Sequence, residues 1–242
     1  MKYFYMFALL FLFSCNPQKD KILAKDIIDK TIVYSGANKV INSKISFQFR
    51  DKRYEAARKR GRFTLSRSYD SIKDVLSNNG FTRFINNKKV DLSDKDASSY
   101  ANSVNSVHYF SVLPFGLQDP AVKKRLLPSS TIKGKKYYKI EITFSEEEGG
   151  EDYQDVFIYW VGKDDYLIDY LAYSYKTNGG GMRFRELKEQ CIVNGVRFVD
   201  YYNYKPINKN IELIDIDKAY ENNQLKKVSE IALKDINVKL LD

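Results

Sequence analysis

The chain has 242 residues, with 40 Lys and Arg against 31 Asp and Glu for a formal charge of +9, and it holds one His and two Cys. That inventory excludes His-rich and Cys-rich metal sites, so neither a metal nor a cofactor is expected. The 19 Tyr and 15 Phe suit half-wet β-sheets, in which the ring packs while the tyrosine hydroxyl reaches water, or an aromatic-lined cavity.

The N-terminus carries the strongest signal. Lys2 precedes an apolar run from Tyr3 to Phe13, followed by Ser14 and Cys15. At about 11 residues this run is far shorter than the ~20 needed to span a bilayer. A basic residue, a short apolar stretch and a small residue before cysteine form the pattern of a bacterial lipoprotein signal peptide over residues 1–14. Cleavage before Cys15 places diacylglycerol on its sulfur and an acyl group such as palmitate on its amino terminus. At ~0.8 kcal/mol per buried methylene this is an essentially permanent membrane anchor. Residues 15–20 read as a tether and 21–242 as one domain, since no clean linker interrupts them. Residues 16–20 hold one Lys and one Asp rather than an acidic run. The expected location is the outer membrane, on its periplasmic face, with surface exposure left open.

Residues 21–34 read as an amphipathic helix, with Leu23, Ile27, Ile28, Thr31 and Ile32 on one face, Asp20 as cap and Gly36 as stop. The period then changes to two at Ile45, Phe47 and Phe49, and again at Phe63 and Leu65. The densest basic stretch runs from Arg50 to Arg67: Arg50, Lys52, Arg53, Arg58, Lys59, Arg60, Arg62 and Arg67. Behind a lipoprotein signal, anionic lipid is a better counter-charge than nucleic acid, and a solvated strand-and-turn face needs neither. No nucleic-acid partner is expected. Asn78-Asn79-Gly80 and Asn86-Asn87 are hairpin turns around strands at 81–85 and near Val90.

Asp94 caps a helix from Lys95 to about Phe110 that Pro114 closes, and Asp119-Pro120 opens a short helix to about Leu126. Alternation returns in a long antiparallel meander over 137–144, 155–161, 166–176, 182–187 and 196–204. The tail reads as a helix around 218–224 and a strand at 231–240. In 155–161 both faces are apolar: Val156, Ile158 and Trp160 on one, Phe157, Tyr159 and Val161 on the other. Antiparallel sheets usually wet one face. This one therefore needs cover on both sides, from helices or from a lumen that holds a ligand.

Residues for catalysis are sparse. His108 lies within the middle helix between Val107 and Tyr109, where a hydrogen-bonded core His is expected rather than a triad member, and no G-x-S-x-G elbow exists. The acidic turn at 146–152 lacks EF-hand spacing and reads as a solvated hairpin tip. Gly179-Gly180-Gly181 leads into a strand, so it is a wide turn and no phosphate loop. Asp169, Glu186 and Asp200 fall on strands, where two facing carboxylates are what a glycosidase needs. Arg183 and Arg185 share a strand face, to hold an anionic head group or to pair with carboxylates across the sheet. Cys191 reads as a small hydrophobe in or beside a strand.

The ordered motifs are familiar. Tyr100-Ala-Asn-Ser-Val-Asn-Ser-Val-His108, Leu113-Pro-Phe115, Asp119-Pro120-Ala-Val122 and Asp155-Val-Phe-Ile-Tyr-Trp160 resemble a Bacteroidetes outer-membrane lipoprotein family of unknown function. So do Asp169-Tyr-Leu-Ala-Tyr173, Arg183-Phe-Arg-Glu186 and Asn194-Gly-Val-Arg-Phe198. The order of elements is also similar to that of the lipoprotein-localisation factors, whose fold is an open half-barrel with helices on its concave face. The resemblance implies an α+β fold with one strongly curved antiparallel sheet, and it assigns no catalytic residue.

The leading expectation is a non-catalytic protein that binds a lipid or other lipophile between sheet and helices. Tyr100, Tyr109, Phe110 and Phe115 would come from the helical plug, Trp160, Tyr170 and Tyr173 from the sheet, with Arg183 or Arg185 at a head group. A solid-cored interaction or scaffold module of an envelope complex is the second expectation, and a carboxylate-dependent hydrolase the third. A cavity of a few hundred Å³ favours the first, and an exposed aromatic patch without a cavity the second.

Overall fold

The computed structural model describes residues 22–147, 153–176, 179–208 and 210–242. The expected signal peptide, Cys15 and most of the expected turn at 146–152 lie outside the described residues. The first sheet comprises β1 (Ser43–Phe49), β2 (Lys52–Lys59), β3 (Arg62–Tyr69), β4 (Ile72–Ser77), β5 (Gly80–Ile85) and β6 (Lys88–Val90). The second comprises β7 (Val122–Ile132), β8 (Lys135–Phe144), β9 (Val156–Gly162), β10 (Ile168–Tyr175), β11 (Gly181–Val193) and β12 (Val196–Pro206). The chain's last strands complete both: β13 (Leu225–Ile231) pairs with β12, and β14 (Leu233–Leu240) pairs with β1. The protein is thus mostly β, with two antiparallel seven-stranded sheets and few helices. The single strongly curved sheet expected from the sequence is instead two hydrogen-bonded sheets, linked where Ala232 separates β13 from β14.

The two sheets bury differently. In the first, burial alternates along β1 and β2, with Ile45, Phe47, Tyr54, Ala56 and Arg58 inside and Lys44, Arg53, Glu55 and Lys59 outside. That is the one-wet-face pattern. In β9 every residue from Phe157 to Gly162 is buried. One face of this strand is covered by α1 (Ala24–Tyr34), whose Ile27, Ile28 and Ile32 pack with Ile140, Tyr159 and Val161. The other is covered by α3 (Ile216–Glu221), whose Ile216 packs with Ile158 and Trp160. β9 therefore has a helix against part of each face.

Local signals explain most boundaries. Asn194-Gly195, both with positive φ (48° and 76°), make the two-residue turn between β11 and β12. Gly36 follows α1 at φ 69°, and a Cβ there would lie 1.7 Å from the Gly195 carbonyl oxygen, so only glycine lets the two turns touch. The expected helix after Pro120 is absent. Asp119 Oδ1 instead accepts the Ala121 N–H at 2.9 Å, and β7 begins at Val122, paired with Phe144. An Asp-Pro step suits an Asx-type turn as well as a helix start, and pairing with β8 decides between them.

Candidate functional site

α2 (Asp94–Ser111) is the element that builds the site. Ser93 caps it by accepting the Asp96 N–H, one residue before the cap expected from the sequence. One face of α2 is bolted to the first sheet. Val104 is fully buried against Ala56 and Leu65. Arg67 donates to Ser103 Oγ at 2.7 Å, and the Arg83 guanidinium lies 3.5 Å from the Tyr100 ring centroid. Both arginines converge on Asp74, which has no exposure. His108 Nε2 sits 3.0 Å from the Ser66 carbonyl, with its ring edge-on to Phe47 and Tyr54. A carbonyl only accepts, so Nε2 carries the proton. Burial pushes the pKa of His108 down to about 4.

The other face of α2 roofs a groove of about 1070 Å³ over the second sheet. Its floor comes from β8 to β12, which the sheet register aligns: Phe157 lies opposite Tyr173, Tyr173 opposite Arg183, and Leu171 opposite Arg185. Phe110 reaches down from the helix to within 5.3 Å of the Tyr173 ring and 6.1 Å of Phe157, centroid to centroid. The Tyr109 and Tyr159 hydroxyls meet at 3.2 Å, and burial pushes the Tyr109 pKa up to about 12, so this pair stays neutral. Arg185 is buried, with its guanidinium 3.9 Å from the Phe110 centroid and Nη2 donating to the Tyr173 hydroxyl at 3.1 Å.

Of the residues expected at a binding site, Tyr109, Phe110, Tyr173, Arg183 and Arg185 line this groove. Trp160 and Tyr170 do not, because they occupy alternate positions of β9 and β10 and face the opposite side of the sheet. There Trp160 donates to Asp217 at 3.2 Å, and Tyr170 stacks on Phe184 beneath Tyr220. Tyr100 belongs to the contact with the first sheet, and Phe115, beyond the helix, lies under the Arg58 guanidinium. Phe144, Phe157, Val199 and Tyr201 line the groove and were not singled out from the sequence. The signal for Phe157 was available, since a hairpin between β9 and β10 puts it on the same face as Tyr173.

Each of the strand carboxylates is held by other groups. Asp169 is held by Lys135 and Tyr137, Glu186 by Lys133 and Tyr204, and Asp200 accepts the Leu233 N–H. None of the three lines the groove, whose carboxylates are Asp94 and Asp155. Among the described residues no group of three or more His, Cys, Asp or Glu is placed to hold a metal, and no helix is long and apolar enough to cross a membrane. Cys191 is on β11 as expected, but exposed.

The sequence matches a family described as "Family of unknown function (DUF6503)" over residues 1–232. No curated protein matches. The solved structures this chain is similar to include the following two. A DUF1329 family protein from Desulfovibrio piger has a TM-score of 0.52 at 11% identity, covering 88% of this chain and 92% of that one. A LolA superfamily protein from Nitrosomonas europaea has a TM-score of 0.48 at 11% identity, covering 92% and 94%.

Proposed function

We propose that this chain, which belongs to the DUF6503 family, is a membrane-anchored envelope lipoprotein that binds a lipid or other lipophile without catalysis. The groove carries the reading. At about 1070 Å³ it lies at the upper end of small-molecule sites, and the rings that line it come from α2 and from five strands distant in sequence. In this reading the two sheets act as one open half-barrel around α2, and Phe110, Phe144, Phe157 and Tyr173 are the apolar contact surface. Cys15 supplies the lipid anchor and residues 15–20 the tether, with the domain over 21–242 on the periplasmic face of the outer membrane. A groove of this size favours binding over a solid-cored scaffold. The pairing of Asp169, Glu186 and Asp200 with other partners speaks against a carboxylate hydrolase.

The test is native mass spectrometry with lipid extraction on the full chain bearing Cys15→Ala, so that bound lipid is not confused with attached lipid. A stoichiometric lipophile should co-purify, survive Tyr170→Phe on the solid face, and be lost in Phe110→Asp that retains its circular dichroism. Loss in both variants, or in neither, would count against the groove.

A further inference from the structure

Among the described residues the buried cations form salt bridges with carboxylates, with two exceptions. Arg67 and Arg83 share Asp74, Lys139 holds Asp217, and Arg197 reaches Asp169 at 3.5 Å. Arg58 and Arg185 form no salt bridge among the described residues, and Arg185 lines the groove under α2. It is 8% exposed. Its Nε is buried without an acceptor, and its Nη2 donates to the Tyr173 hydroxyl. The faces of Phe110 and Tyr173, at 3.9 and 5.3 Å, supply cation–π attraction but accept no hydrogen bond in the guanidinium plane. A buried guanidinium that keeps donors unfilled is stabilised most by an anion that reaches it.

The surroundings define the rest of such a ligand. The strand floor around Arg185 is apolar, with Phe144 and Phe157 to one side and Val199 and Ile231 to the other, whereas α2 lines the roof with Ser98, Ser99, Asn102 and Ser106, so a ligand that reaches the cation meets an apolar floor under a polar roof. Arg183 stands opposite Tyr173 on the same strand face and adds positive charge. Asp94 and Asp155 also line the groove, and Asp155 is engaged in an interaction of its own.

We infer that the groove is selective for an anionic amphiphile, an apolar body that carries a carboxylate or phosphate, with the acid received by Arg185. The inference rests on the lipophile-binding reading above and narrows it to a ligand class.

The experiment titrates the full chain with hexadecanoate, hexadecyl phosphate and uncharged hexadecan-1-ol, each below its micelle concentration, by displacement of a fluorescent lipid probe. At least one anion should bind about tenfold to a hundredfold tighter than the alcohol, the range expected for hydrogen bonds to a charged group. Which anion wins distinguishes a free fatty acid from a phosphate-bearing lipid. Arg185→Gln should abolish that preference while hexadecan-1-ol binding persists, and Arg185→Lys should restore part of it. Retained alcohol binding also certifies that each variant is folded. Equal affinity for all three ligands, or unchanged anion preference in Arg185→Gln, would overturn the inference and leave the lipophile reading standing. Binding of none of the three would overturn both.

Discussion

The second sheet presents two aromatic faces built from the same strands, and they end differently. On one, Trp160, Tyr170 and Phe184 are closed over by α3 into a solid core, with Asp217 satisfying both the Trp160 indole and the Lys139 ammonium. On the other, Phe157, Tyr173 and Arg185 lie under α2, which is fastened to the first sheet rather than pressed onto the second. The composition of a face therefore does not decide whether it becomes core or cavity. What decides is where the covering helix is anchored. A helix sitting directly on its sheet fills the space between them, whereas one held from behind leaves it open.

The largest effect that should separate the faces is on the solid side. Asp217→Ala removes the counter-ion of a buried Lys139 and strands an indole N–H, at a cost of about 3–5 kcal/mol. Urea denaturation should show this loss, with lipid binding of the remaining folded protein unchanged.

The next effect concerns the anchor of the groove's roof. Folded His108 has a pKa of about 4, against 6.5 when unperturbed. Between these values the unfolded chain binds the proton and the native chain does not, so stability falls as pH drops from about 6.5 to about 4. The loss is fully developed near pH 4 and amounts to ~3 kcal/mol. His108→Gln, which keeps a donor for the Ser66 carbonyl, should flatten this part of the pH profile. By hydrogen exchange, acid should loosen α2 more than β9 or α3. Equal loosening of all three would dissolve the contrast between a roof and a core.

The smallest effect is on the groove side. Phe110 is only half-buried, so Phe110→Ala should cost about 1–2 kcal/mol, less than the roughly 3–5 kcal/mol of a fully buried aromatic such as Trp160. A loss as large as that of Trp160→Ala would mean that the groove residues form ordinary core.

Much of the architecture was legible locally. The strands of the meander, the Asn194-Gly195 turn, α2 and the buried His108 follow from alternation, turn chemistry and helical spacing. The two-sided burial of β9 was visible in its unbroken apolar run. The helix expected after Pro120 failed because pairing between Val122 and Phe144 outweighs a local capping signal. Tyr100 was grouped with Phe110, yet ten residues on a helix leave them about 80° apart, enough to put one on the first sheet and the other in the groove.

The site itself shows the division most clearly. That Arg183, Arg185 and Tyr173 could share a face is a matter of strand period, and the sequence alone determined it. Glu186, next in the chain after Arg185, looks like its natural partner, but the same period turns Glu186 to the opposite face, where Lys133 and Tyr204 take it. Whether Arg185 then found another carboxylate depended on strands and helices far along the chain, as Arg67 and Arg83 depended on Asp74. Only the tertiary structure decided that no salt bridge forms there among the described residues, because charge pairing in a folded protein is set by which distant segments pack together and not by which residues are neighbours in sequence.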